Sequence, residues 1–338
     1  KVLRFNCYFK DVERRDNPDR TGLMGWLARR LWPYGGQQHL YDRDRPELIE
    51  ILGHMRELVD SYDAVLLGET LDERLRYDNA AQWVGEGGLH MAFHFGLLHS
   101  RWDAREMARA IRRWTSDMGD RGWPTWVVSN HDFVRHATRW GGRHQDARMR
   151  VAAMMMLSLR GTPCLYQGEE IGMVQGRVTR AQLRDPAGIK HWPFFRGRDG
   201  CRTPMQWDTS PRAGFSPVEP WLPLNPDWAT RNVETQMQEG SSLLHLYREL
   251  IALRRTEAAL TRGEIVFPEK DDPHILTWQR IYRGDRLLVA LNTSARAQRL
   301  SLDNCAAEVV LSSTHPDPSP PGDHVMLQPN EGQILRLR

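Results

Sequence analysis

At 338 residues the chain is long enough for one large domain with a small one beside it. Hydrophobic residues make up 40%, as in ordinary globular proteins, and the absence of an apolar run of about eighteen argues against a membrane span. With 46 basic and 43 acidic residues the net charge is +3, and arginines alternate with acids, as in YDRDRPEL, which argues against a nucleic-acid partner.

Pro46 opens a predicted helix over 46–62, with Leu48, Ile51, Leu52, Met55, Leu58, Val59 and Tyr62 on one apolar face. DAVLLGET follows as a short buried strand ending in Gly68 and Glu69. Residues 104–118 are helical by period, with Met107, Ile111, Trp114 and Met118 on one side. TWVVSNHD reads as the next strand, 144–160 as a Met- and Leu-rich helix, GTPCLYQGEE as another strand and 241–256 as a further helix. Alternating helices and apolar strands imply a parallel sheet with covering helices, and in a (β/α)8 barrel the carboxyl ends of the strands carry the chemistry. Glu69 and the Asn130–His131–Asp132 group would then share one face. From about Gly263 the pattern changes to antiparallel β. HILTWQRIY and LLVALNTS are strands joined by an RGDR turn, HPDPSPPGDH is a Pro-rich loop and GQILRLR is a last alternating strand. The expected architecture is the C-terminal half of a (β/α)8 TIM barrel at 1–257, followed by a small antiparallel β-sandwich domain at 258–338.

Cys7, Cys164, Cys201 and Cys305 are far apart and never in CxxC spacing, so they read as free thiols of a reducing, cytoplasmic compartment with no zinc site. GEGG at 85–88 lacks the GK[ST] of a phosphate loop, and no cofactor motif is seen. The start, KVLRFNCYFK, is too polar and short for a signal peptide. Thirteen tryptophans suit packing or the flat faces of sugars.

Glu69 ends a buried strand, where a carboxylic acid can serve as a general acid, although an ion pair with an arginine would explain it too. His131–Asp132 ends a second strand; the pair can bind and stabilise a polar ligand, or Asp132 can cap a helix or pair with Arg135. GRDGCRTPMQWD at 197–208 concentrates charge in a loop, either as a salt-bridged surface loop or as a binding loop with Arg198 directed inward.

Together, RDNP, QHLYDRDRPEL, VLLGET, WVVSNHDFVRHATR, GTPCLYQGEEIGM, RDPAGIKHWPFFRGRDGCRTPMQWD, AGFS and PWLPLN resemble, in family order, the α-amylase superfamily of glycoside hydrolases in its α-glucosidase and oligo-1,6-glucosidase branch. The resemblance implies a retaining glycosidase without cofactor or metal in this part of the fold. It acts on small α-glucosides such as maltose or isomaltose, with α-1,4 linkages favoured by the GRDGCRTPMQW form. Glu69 matches the general acid/base and Asp132 the carboxylate that stabilises the oxocarbenium-like transition state. His131 matches its sugar-binding neighbour, and Arg198 and Arg202 the arginines of the glucose subsite. The family's nucleophile falls on Leu3 and the motif's arginine on Lys1, counted back from Asn6. A leucine cannot attack an anomeric carbon, so the chain alone is expected to be inactive, as part of a longer enzyme. The alternative is a non-catalytic relative, such as a transporter heavy-chain-like ectodomain or a pseudoenzyme.

Overall fold

In a computed structural model, residues 11, 13–31, 34–69, 80–303, 305–314 and 322–338 are described. Lys1, Leu3, Asn6, Cys7 and most of the Pro-rich loop lie outside them. The chain forms two compact units, Lys1–His94 with Trp114–Thr125, and Phe95–Arg113 with Trp126–Arg338.

The first unit holds helices α1 (Gly22–Leu31) and α2 (Leu48–Asp60) and strands β1 (Leu67–Gly68) and β2 (Met91–His94). Strand β2 had no counterpart among the predicted elements. The two strands run parallel, with Leu67 opposite Met91 and Gly68 opposite Ala92. Helix α2 matches the predicted one, but its apolar face is only partly used: Leu48 and Leu52 are buried, whereas Ile51, Leu58 and Tyr62 are exposed. An apolar stripe that wide normally faces a packing partner. Trp114 stacks on His94 with ring centroids 4.6 Å apart.

The second unit begins with α3 (Gly96–His99) and most of α4 (Ala104–Met118). Met107, Ile111, Trp114 and Met118 are all buried, as their spacing predicted. Then come β3 (Thr125–Trp126), α5 (His136–Trp140), α6 (Gln145–Ser158), β4 (Thr162–Pro163), α7 (Pro186–His191), α8 (Val233–Gln238), α9 (Leu243–Thr256) and α10 (Ala258–Arg262). The Cys164 amide donates to the Trp126 carbonyl at 2.9 Å. Both strands are much shorter than predicted. Pro163 has no N–H for a ladder. Beyond Cys164 the chain coils into turns in which the Glu169, Gly172 and Met173 amides donate to the Tyr166, Glu169 and Gly168 carbonyls.

Helix caps follow chemistry readable in the sequence. Ser242 accepts from the His245 amide at the start of α9, and Asn232 from the Thr235 amide at the start of α8. The carboxyl end of α6 is closed by side chains instead. Arg254 donates to the Leu157, Leu159 and Gly161 carbonyls, and Arg280 to those of Ser158, Gly263 and Glu264. The last carbonyls of a helix lack partners of their own, and cations suit that end of the macrodipole.

The remaining strands are β5 (Glu264–Val266), β6 (Ile275–Tyr282), β7 (Asp285–Asn292), β8 (Gln298–Ser301), β9 (Ala307–Ser312), β10 (His324–Leu327) and β11 (Gly332–Leu337). They form a five-stranded sheet in the order β5-β6-β7-β11-β9 and a two-stranded sheet of β10 and β8. Strands β6 and β7 pair antiparallel around Arg283 (φ 50°) and Gly284 (φ 87°), the left-handed pair of a type I′ hairpin. Ile275, Ala290 and Leu335 from one sheet pack with Val325 and Leu327 from the other. The alternation expected for β11 is not found, because five of its six residues are buried. It lies between β7 and β9, and its Gly332 approaches Met154 of α6 so closely that a Cβ there would stand 2.8 Å from the sulfur.

Candidate active site

Asn130 shapes the turn that carries the candidate carboxylate. Its side-chain oxygen accepts from the Asp132 amide at 2.8 Å and the Phe133 amide at 3.0 Å, a local turn that asparagine favours. The strand end behind it is pinned to α5, where Arg139 donates to the Val128 carbonyl at 2.5 Å and the His136 amide to the Ser129 hydroxyl at 2.9 Å. Asp132 does not cap that helix, whose N-cap is Arg135. Arg135 donates to the Gln167 carbonyl at 2.6 Å and lies over the Tyr166 ring.

Two guanidinium groups meet on Asp132. Arg198 donates to its Oδ1 at 3.1 Å and Arg202 to the same oxygen at 3.0 Å. Arg202 also donates to the His131 carbonyl at 2.8 Å, and the His131 Nε2 stands 3.6 Å from Oδ1. His131 is mostly exposed, whereas the Asp132 carboxylate is 10% exposed. Asp132, His131, Arg198 and Arg202 are therefore together. The segment 197–208 directs both its arginines at one carboxylate, an arrangement common to the salt-bridged loop and the binding loop.

Arg198 is aimed by a residue that the sequence reading missed. Asp185 accepts from Arg198 through Nε at 2.9 Å, Nη2 at 3.0 Å and the backbone amide at 2.8 Å. The Arg198 guanidinium holds the Asp185 carboxyl down at about 2, while Asp185 pushes the guanidinium upward. Such fork-on-carboxylate pairs fix direction as well as charge. Gly197 makes the approach possible. Its φ is +76°, and a Cβ there would meet the Gly188 Cα at 3.0 Å and the Asp185 carboxylate at 3.2 Å. Asp199, fully buried, accepts from the Arg184 and Asp185 amides at 2.6 and 2.9 Å, so one acid holds the backbone of another. The sequence signal for Asp185 was only its place before Pro186, which marks a helix N-cap.

Glu69 lies in the first unit, at the carboxyl end of β1, with its side chain buried. Among the described residues no three His, Cys, Asp or Glu side chains are grouped as a metal site. No helix among them is long and apolar enough to cross a membrane. Cys164, Cys201 and Cys305 are free thiols.

Residues 8–263 match the family described as alpha amylase, catalytic domain. A probable alpha-glucosidase of Rhizobium meliloti (strain 1021) is 37% identical over 301 residues, 86% of this chain and 54% of that protein. An oligo-1,6-glucosidase of Halalkalibacterium halodurans is 32% identical over 320 residues, 83% of this chain and 56% of that protein. Among solved structures, an alpha-glucosyl transfer enzyme, XgtA, superimposes with a TM-score of 0.85 at 36% identity, covering 99% of this chain and 63% of that one. The chain thus spans little more than half the length of the curated relatives it matches. The fold is the family's TIM barrel followed by a C-terminal sheet domain. The chain belongs to the α-amylase family, in its α-glucosidase branch.

Proposed function

We propose that this chain carries the second half of the catalytic barrel of an exo-acting, retaining α-glucosidase. The enzyme releases glucose from the non-reducing ends of small α-glucosides, with α-1,4 preferred. The observation that carries the reading is the Asp132 carboxylate on its Asn130-built turn, clasped by Arg198 and Arg202. A fixed carboxylate ringed by hydrogen-bond donors suits a ligand that presents hydroxyls and develops positive charge at one carbon.

In this reading Glu69 donates a proton to the departing glycosidic oxygen and later accepts one from water. A carboxylate nucleophile attacks the anomeric carbon to form a covalent glycosyl-enzyme that water then hydrolyses, and Asp132 stabilises the oxocarbenium-like charge in the transition state of each step. His131, Arg198 and Arg202 bind the glucose hydroxyls. Leu3 stands at the nucleophile position, so the 338-residue chain alone is inactive. The exposed apolar face of α2 supports a barrel with more structure against it. The scattered cysteines fit a cytoplasmic enzyme.

The test is a chimera joining this chain to the N-terminal half of a relative, with that relative's nucleophile motif replacing residues 1–5. The chimera hydrolyses aryl α-glucosides and the chain alone does not. Within it, Asp132→Asn lowers kcat by at least about a hundredfold, since charge aimed at developing charge is worth several kcal/mol in a dry site. Glucose inhibition changes much less, because the ground state carries little positive charge. Near-normal kcat with a lower melting temperature would reduce Asp132 to a structural role.

A further inference from the structure

Behind the Asn130–Asp132 turn lies a buried set of ionisable side chains that the proposed reaction does not use. Arg135, His136 and Glu169 are each 1% exposed. Ser129, the residue before Asn130, links them to the turn. Its hydroxyl accepts from the His136 amide and lies 2.9 Å from the His136 Nδ1. The Glu169 Oε1 stands 3.9 Å from that same Nδ1. Neither Glu169 carboxyl oxygen reaches hydrogen-bond geometry with any described residue, nor do the His136 Nε2 and the Arg135 Nε and Nη2. Buried polar groups are normally paired, and leaving them unpaired is costly.

We infer that Glu169 is a positioning residue whose buried carboxyl, packed against His136 and through it Ser129, sets the root of the Asn130–Asp132 turn, so that a change in its charge displaces Asp132. The relevance to catalysis rests on the role proposed for Asp132; the coupling to the turn does not.

Burial favours the neutral acid, and the nearby guanidinium charge opposes it. From α5, the Arg135 and Arg139 guanidiniums face the pocket, but their best-placed donors already serve the Gln167, Val134 and Val128 carbonyls. Burial pushes His136, on the same helix, down to about 3, so it supplies no cation. After β4, burial raises the Cys164 thiol, the Tyr166 phenol and the Glu170 carboxyl, and from α9 it raises Tyr247 well above the ordinary phenol range. Burial likewise lifts Glu169 itself to about 8, against the pull of the Tyr166 backbone amide, the Arg135 charge and the Ser129 hydroxyl. As pH rises through that value the carboxyl loses its proton. An anion then forms in a dry pocket beside the Ser129–His136 pair.

The full chain, labelled with 15N and with 13C at the glutamate carboxyl carbons, provides the test by NMR across pH 4 to 9. The Glu169 carboxyl carbon is expected to titrate with a midpoint above about 6.5, far from the free-glutamate value of about 4.3. The Asp132 and Phe133 amide signals shift with the same midpoint, and Glu169→Gln abolishes that shift. A Glu169 midpoint near the free value overturns the inference, as do amide signals that do not respond. An amide titration that survives Glu169→Gln belongs to another group, His131 included, and also overturns it. If Glu169→Gln does not fold, matching midpoints in the unaltered chain support the inference and differing midpoints refute it. Turnover is not read here, so failure of this coupling is distinct from failure of the glucosidase assignment.

Discussion

Asp185 does two things at once. It accepts from the Ala187 amide as the N-cap of α7, and it holds Arg198 against Asp132. Its folded-state carboxyl is depressed to about 2, below an unfolded value of about 3.9. A depressed acid contributes stability that is fully present above the unfolded value and is lost as pH falls through the folded one. Acid unfolding of the chain should therefore steepen between about pH 4 and pH 2. In Arg198→Met this window loses much of its slope, as melting temperatures recorded at half-unit pH steps would reveal. An unchanged slope would mean that the pair is not maintained in solution. His131, Asp132 and Arg198 stand out in the sequence as polar groups at a strand end and in a charged loop, whereas Arg202 is singled out by the family resemblance alone. Asp185 and Glu169 do not stand out. Asp185 looks like an ordinary cap, and its second partner lies 13 residues further on. Glu169 sits in a segment that reads as strand, and only the tertiary fold buries it.

Among the elements, long periodic helices were the easiest to anticipate, and α4, α6 and α9 form close to where their apolar spacing places them. The barrel strands were harder to place. Their apolar runs mark buried backbone, but regular pairing covers only two residues in each of β1, β3 and β4, and pattern does not distinguish a paired strand from a buried extended segment. Strand β11 misled for the opposite reason, since alternating letters became a centre strand covered on both faces. The closure of α6 by Arg254 and Arg280 had no local signal, because both donors come from far along the chain. These contacts predict sizeable costs. Arg280→Met leaves buried carbonyls of Ser158 and Gly263 without their donor and should destabilise the chain by about 2–4 kcal/mol in urea unfolding. A loss under about 0.5 kcal/mol would show that water replaces the guanidinium without penalty.

For the molecule as a whole, exposed apolar surface is the main physical liability. Ile49, Ile51, Leu58 and Tyr62 on or beside α2 are open, as are Leu23, Met24 and Trp26 on α1. Contiguous apolar patches promote association. The isolated chain should therefore self-associate at micromolar concentration. The double substitution Ile51→Lys with Leu58→Lys should reduce this in sedimentation velocity, with little change in melting temperature. An isolated chain that stays monomeric would contradict the prediction.

The arginine contacts at the end of α6 also bear on how such a gene can be rearranged. Arg280 belongs to strand β6 of the C-terminal sheet, yet it is completely buried and one of its donors is spent on a helix carbonyl more than a hundred positions earlier. Gly332 is likewise seated against Met154 of that helix. A recombination breakpoint between Thr256 and Glu264 would strand a buried cation on one side and an unpaired carbonyl on the other. Exchange between relatives should therefore be tolerated only when α6 and the C-terminal strands travel together.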